Sequence, residues 1–577
     1  MSKAFNPQGA RVCRVIPRVL LGAVCVPVLG FYAWTARPEV RQMGIWTASN
    51  PAAYDPARAD YNLLVDGFRS GQLNLKRSAP FGLTKLADPT DPVANASYRM
   101  ESGLHDTSYY KGKLYLYFGV TPALVLFWPY VALSGHYLFH KEAVAFFCSV
   151  GFLVSVVLVC AIWRRYFPEV GGWVVATCAL ALGLADCVPV MLQQPDVWQV
   201  AVSCAYAMVM LALACIWRAL HDPIRPCWWL AAASFAYGLA VGARPNVLFG
   251  AVILLVPVIH TWLTAPERAD QRRLAAGRML LSAVIPISLI GLGLMLYNYL
   301  RFASPFEFGQ NYQMTGVKQS ALPQMFSLKY LWFNFRVYFL QPIHWGRFFP
   351  FVEGIKVPPA PTDQLGVYND VFGILPNIPF AWIALAVPLA WQSRTIGERL
   401  ALRSFMAAMA LLFGISALTI CLYAGACGRY LVDFVPVIII FAVCGVLGLE
   451  RALATRPKWR VAVRCSWVAI LLFSVTADLL MSAKRYAEER FRDGFGQLHV
   501  GRTKEAIVYF EEALSINPND AMTHYYLAKA LAQAGRLPEA ASHYGQVLWL
   551  DPSYPGARDG LLQALQKLKQ QAIVPAN

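Results

Sequence analysis

Three carboxylates stand close together early in the chain, in Tyr54-Asp55, Asp60-Tyr61-Asn62 and Asp66-Gly67-Phe68. A carboxylate held near aromatic rings at a membrane surface has its pKa raised by desolvation, which suits it to take a proton from a hydroxyl or an amine. Aspartates in such a stretch also serve as helix caps or solvated loop charges, so the spacing leaves Asp55, Asp60 and Asp66 as rivals. Farther on, His105-Asp106 and Tyr109-Tyr110-Lys111-Gly112-Lys113 bring together an acid, phenols and amines that could hold a polar substrate. The rings there also fit an interfacial belt, and a lone histidine such as His105 is more often a satisfied core residue than a catalyst. Arg244, Arg301 and Arg429 each lie at the end of an apolar run, with Glu307 and Asp433 as candidate partners for the last two.

The elements that must position these residues are set by composition. With 57% hydrophobic, 13% aromatic and only 14% charged residues, the 577-residue chain exceeds what one water-soluble core uses, and lipid is the solvent that accounts for the excess. A net charge of +17 does not point to nucleic acid. The basic residues sit mainly in short gaps between apolar runs, and no basic helix with interleaved aromatics is apparent. The 13 cysteines lie mostly inside apolar runs without metal-like spacing, so they read as small core residues, and no disulfides are expected.

Since roughly 20 apolar residues cross a bilayer and basic clusters mark span ends, the chain divides into about eleven spans. The first, 15–36, follows Lys3, Arg11, Arg14 and Arg18, which places the N-terminus in the cytoplasm and reads as an uncleaved anchor. Arginine clusters around 164–165, 218–225, 268–278, 394–403 and 451–464 then follow every second span. The apolar stretch 114–134, interrupted by Gly119, Pro122 and Pro129, would invert that order if it crossed, so it reads as a helix in the outer interface or re-entering the membrane. The expectation is an all-α, polytopic bundle in the cytoplasmic (inner) membrane, spanning 1–483. Long outer loops at about 37–140 and 301–375 would carry the chemistry on the outer face.

After 483 the composition turns charged and alanine-rich, and a repeat appears. Gly501-Arg502 recurs as Gly535-Arg536, Ala506 as Ala540, Phe510 as Tyr544, Leu514 as Leu548 and Pro518 as Pro552. That offset is the tetratricopeptide period. Residues 484–577 are therefore expected to form two repeats and a capping helix outside the membrane, able to bind a protein or peptide.

The order of one anchor, a long outer loop with an early aspartate, a Tyr-Tyr-x-Gly-Lys element and an apolar Pro-Ala-Leu segment resembles the GT-C membrane glycosyltransferases, in particular protein O-mannosyltransferases and lipid A aminoarabinose transferases. The span from Tyr110-Lys111-Gly112 through Thr121-Pro122-Ala123-Leu124 is similar to an element of that branch, although Val120-Thr121 stands where it often has Lys-Pro. Gly242-Ala243-Arg244-Pro245-Asn246, Tyr297 to Phe302, Pro305 to Gly309 and Gly428 to Phe434 look like elements of a bacterial GT-C-like group. The resemblance covers most of 1–480. It implies transfer of a sugar from a polyprenyl-phosphate carrier to an acceptor glycan, lipid or protein, and it leaves open whether a divalent metal ion assists. It also implies roles: Asp60 is the preferred base with Asp55 and Asp66 as rivals, and Arg244 the preferred ligand of the leaving phosphate with Arg301 and Arg429 behind it. Asp106, Tyr110, Lys113 and Glu307 would contact substrate. A lipid or solute transporter and a non-catalytic envelope scaffold are the alternative classes.

Overall fold

The structure, a computed structural model, describes residues 7–36, 56–265, 269–319, 325–368, 371–392 and 394–573. Among these, nine helices are long and apolar enough to cross a membrane: His140–Tyr166, Gly172–Met191, Val197–His221, Pro226–Ala243, Pro245–Thr264, Ala269–Phe302, Ile396–Cys421, Val435–Ala452 and Pro457–His499. Against about eleven expected, the remaining apolar helices are shorter: Val19–Thr35, Ala123–Ser134 and Pro379–Trp391. Pro7–Thr35 is a 29-residue helix. Pro379–Trp391 has 13 residues in 3-10 geometry, whose rise of about 2.0 Å per residue stretches it to roughly 26 Å, near the ~30 Å of a bilayer core.

The stretch 114–134 is not a single helix. Its start belongs to a strand, and the apolar helix Ala123–Ser134 covers only about 18 Å, too short to cross. The chain is mostly helical, but its two long loops hold short strands. β1 (Thr107–Tyr110) pairs antiparallel with β2 (Lys113–Leu116) through a two-residue turn. Lys111 and Gly112 both take positive φ there, the geometry that matches strand twist in a tight hairpin. β3 (Gln313–Met314) pairs with the other edge of β1, so the two long loops share one sheet. A parallel pairing of Gly366–Tyr368 with Gly425–Cys427 ties the second loop to the turn that carries Arg429.

One apolar core runs through the bundle, from Val28 and Tyr32 in the first helix to Met481 in the last. A second, separate core lies in the C-terminal helices Thr503–Ile516, Ala521–Gln533 and Leu537–Leu550, followed by the helix Ala557–Ile573. The repeat read from sequence is visible in it. Gly501 and Gly535 take φ of 76° and 78°, the left-handed geometry that only glycine adopts cheaply, and Ala506 and Ala540 are both fully buried. Helix Pro457–His499 continues unbroken past 483, and its Phe491 and Phe495 pack into the repeat core.

Candidate functional site

Asp60 opens the helix Asp60–Arg69, and its neighbours fix where it stands. Tyr61 is fully buried, stacked on Phe127 at 5.1 Å and edge-on to His140. Asn62 donates to the carbonyls of Pro56 and Leu138, both at 2.7 Å. Asp60 is thereby held half-buried at a helix N-terminus, where unpaired amides favour an anion. Burial nonetheless pushes its carboxyl above the ordinary range, against the pull of Arg77.

A second carboxylate, absent from the sequence reading, feels the charge of Asp60. Asp196 caps the helix Val197–His221, its Oδ1 accepting from the Val197 amide at 2.8 Å. Burial pushes its pKa up to about 6; the capping bond opposes the shift, the charges of Asp60 and Glu489 add to it, and Arg429 pulls it back. An aspartate just before an apolar run reads as an ordinary helix cap, so nothing local in the sequence marks Asp196 as more.

Arg429 completes the cluster. Its guanidinium carbon lies over the rings of Trp198 at 5.8 Å and Tyr430 at 5.1 Å, and it forms no ion pair among the described residues. Trp198, two residues beyond Asp196, donates from Nε1 to Asp106 Oδ2 at 2.7 Å, while Gln313 of β3 donates to Asp106 Oδ1 at 2.9 Å. Asp106 is thus held by both outer loops and by a transmembrane helix, beside the site. Burial and the neighbouring Tyr430 and Asp106 raise the pKa of Tyr117, so its phenol stays protonated as a donor.

The other expected residues divide differently from the reading above. Arg244, the preferred phosphate ligand, is ion-paired: its Nη1 contacts both oxygens of Asp433 at 2.6 and 2.8 Å. It occupies the single position between two proline-started helices, and the backbone contact of Gly119 with Gly242 and Ala243, where a side chain on Gly119 would collide, packs the first loop against it. Arg301 is also committed. It donates to the Leu116 carbonyl at 3.1 Å and to Asn298 at 2.7 Å, over the Tyr297 ring at 3.9 Å, and so anchors β2 to the bundle. Its expected partner Glu307 instead accepts from the Gly309 amide and from Asn311.

Asp66 lies six residues after Asp60, about 240° around the helix and on another face. It accepts from the Tyr137 hydroxyl at 2.6 Å, with Arg69 at 3.5 Å. Tyr110 packs against Tyr312 and Phe302, and Lys113 is exposed at the start of β2, so neither joins the cluster. Asp55 lies outside the described residues. Among the described residues no group of three or more His, Cys, Asp or Glu could hold a metal ion.

Residues 497–548 match the tetratricopeptide repeat family model, which agrees with the period and the helix pairs described above. No curated protein matches the chain. Among solved structures, the chain is similar to ArnT from Cupriavidus metallidurans bound to undecaprenyl phosphate, at 14% identity over 87% of this chain and 80% of that one, with a TM-score of 0.36.

Proposed function

We propose that the chain is a membrane glycosyltransferase that moves a sugar from a polyprenyl-phosphate-linked donor to an acceptor on the outer face of the membrane. The observation that supports this most is Asp196, a carboxylate of raised pKa on which the charges of Asp60, itself raised by burial, and of Arg429, which has no ion pair among the described residues, both act. A transfer to a hydroxyl needs a base on one side and a cation for the leaving phosphate on the other. In this reading Asp60 takes the acceptor proton as the acceptor oxygen bonds to the anomeric carbon. The bond from that carbon to the phosphate oxygen breaks, and its electron pair leaves with the lipid phosphate. Arg429 meets the developing charge with forked, charge-assisted hydrogen bonds. Trp198 and Tyr430 hold the guanidinium plane in place between turnovers, and the charge of Asp60 helps to raise the pKa of Asp196.

Arg429 takes over the role first assigned to Arg244, because a guanidinium whose charge is matched by a buried carboxylate attracts a phosphate less than one with no ion pair among the described residues. The sugar and the acceptor are to be found by experiment. Purified protein in detergent is given a polyprenyl-phosphate sugar and a pool of envelope acceptors, and transfer is followed by mass spectrometry. Transfer by wild type that is lost in Asp60→Asn and Arg429→Ala supports the reading. No transfer from any such donor, with the donor shown not to bind, defeats it.

A further inference from the structure

The last transmembrane helix grips the segment that leads into Asp196. Asp478 Oδ2 accepts from the Cys187 amide at 3.0 Å. Four residues on, the Ser482 hydroxyl donates to the Pro189 carbonyl at 3.0 Å and accepts from Gln193 Nε2 at 2.9 Å. Arg485 donates to the Gln194 side-chain oxygen and pairs with Glu489 at 2.7 Å. Asp478, Ser482, Arg485 and Glu489 follow the i, i+4, i+7, i+11 spacing of one helix face, and all four are buried.

A buried polar stripe is costly where an apolar one would pack as well, and it repays that cost when it fixes register. What it fixes here is a strained, non-repetitive piece of chain. Cys187 has a positive φ of 66°, the helix Val188–Met191 is a single turn, and the Asp196 amide donates to the Gln194 carbonyl at 2.9 Å. The stretch 187–196 therefore has little helix of its own to hold Asp196 still, and the side chains of the last helix supply the constraint. The same helix enters the repeat core through Phe491 and Phe495, which puts the repeat domain in mechanical series with the site.

We propose that Arg485 is a positioning residue for the candidate site: through Gln194 it sets the place of Asp196, and it neutralises Glu489 beside that carboxylate. The proposal rests on the reading of Asp196 as part of the transfer site. The charged groups that face Asp196 are Asp60 from the first outer loop, Arg429 from the 428–433 turn and Glu489 from the last helix. Only Glu489 depends on Arg485.

The test uses full-length protein in detergent with two readouts, amide hydrogen exchange of 194–199 and the kinetics of transfer from a polyprenyl-phosphate sugar. Arg485→Met is expected to speed exchange at least ~10-fold and to lower kcat roughly 10- to 100-fold with little change in KM, because misplacement of a reacting group acts on turnover. It also shifts the acid limb of the kcat profile upward, since Glu489 loses one of its two arginine partners and keeps only Arg492. Gln194→Leu breaks the same contact from the other side and keeps the ion pair, so it reproduces the exchange and kcat effects without the shifted limb, and it carries the test alone if Arg485→Met fails to fold. Arg485→Lys restores part of the activity. Unchanged exchange in these variants overturns the proposal whether or not transfer is measured, as does faster exchange with wild-type kcat and pH profile. Faster exchange in a protein whose wild type transfers nothing supports the latch and defeats the reading of the site instead.

Discussion

Arg244 and Arg429 share one aromatic neighbour, with guanidinium carbons 5.0 and 5.1 Å from the centre of the Tyr430 ring, and their charges are used in opposite ways. Arg244 is closed by a two-point contact with Asp433, whose side chain is only 4% exposed. The pair is neutral as a unit and ties the end of one helical hairpin to the 428–433 turn. Arg429, at the start of that turn, has aromatic rings for neighbours and its charge is not consumed by an ion pair among the described residues. A charge spent inside the fold holds the fold, and a charge left over at a polar surface is available to a ligand. The same division separates Asp66, held by Tyr137 and Arg69, from Asp60, whose carboxyl is perturbed mainly by burial.

The comparison can be broken most directly at Asp60. Asp60→Asn keeps the shape and removes the base, so kcat for transfer is expected to fall by about 10²- to 10⁴-fold while the thermal midpoint stays near wild type. Wild-type turnover would move the base to Asp66 or Asp55. Next come the two arginines. Arg244→Met leaves Asp433 buried and unpaired and is expected to destabilise the protein by roughly 3 to 5 kcal/mol, read from thermal unfolding in detergent, with much of the loss recovered in Arg244→Met/Asp433→Leu. Arg429→Ala is expected to do the reverse, leaving the midpoint almost unmoved while raising the barrier to transfer by about 3 to 4 kcal/mol and weakening donor binding. If Arg244→Met is a stable protein that has lost only turnover, the two roles are exchanged.

A smaller effect sharpens the picture around Asp196. Its folded-state pKa of about 6 lies above the ~3.9 of an unfolded aspartate, so between these values the folded state binds more protons. Wild type should therefore lose stability relative to Asp196→Asn as pH rises from about 4 to 6, and the gap should stop growing above pH ~6.5. A midpoint difference independent of pH would show that Asp196 is not perturbed. Last, a reporter active only in the cytoplasm, fused after Asn577, is expected to stay silent, placing the repeats and both regions on the outer face. Strong activity there would move the whole comparison to the other side of the membrane.

Much of this molecule can be read along the chain. The apolar runs mark the crossings, and the short helix Ala123–Ser134 falls where Gly119, Pro122 and Pro129 already interrupted the pattern. The 34-residue offset predicts the paired glycines and the buried Ala506 and Ala540, because each repeat solves the same local packing problem with the same residues. Asp60 stands out because it belongs to a cluster of acids beside aromatic rings. Arg429 was named but ranked behind Arg244, since the partner that disqualifies Arg244 lies 189 residues away. Asp196 was not named at all.

Hydropathy, charge order and period are properties of neighbours in sequence, and they determine the number of crossings, the repeat domain and the outer loops as the place to look. Which carboxylate meets which guanidinium depends on how distant helices pack. Tertiary structure alone decided that Asp433 closes on Arg244, that the charges of Asp60 and Arg429 both act on Asp196, and that the last helix clamps the approach to Asp196. The physical reason is that ion pairing and desolvation act over a few ångströms in space and are indifferent to separation along the chain.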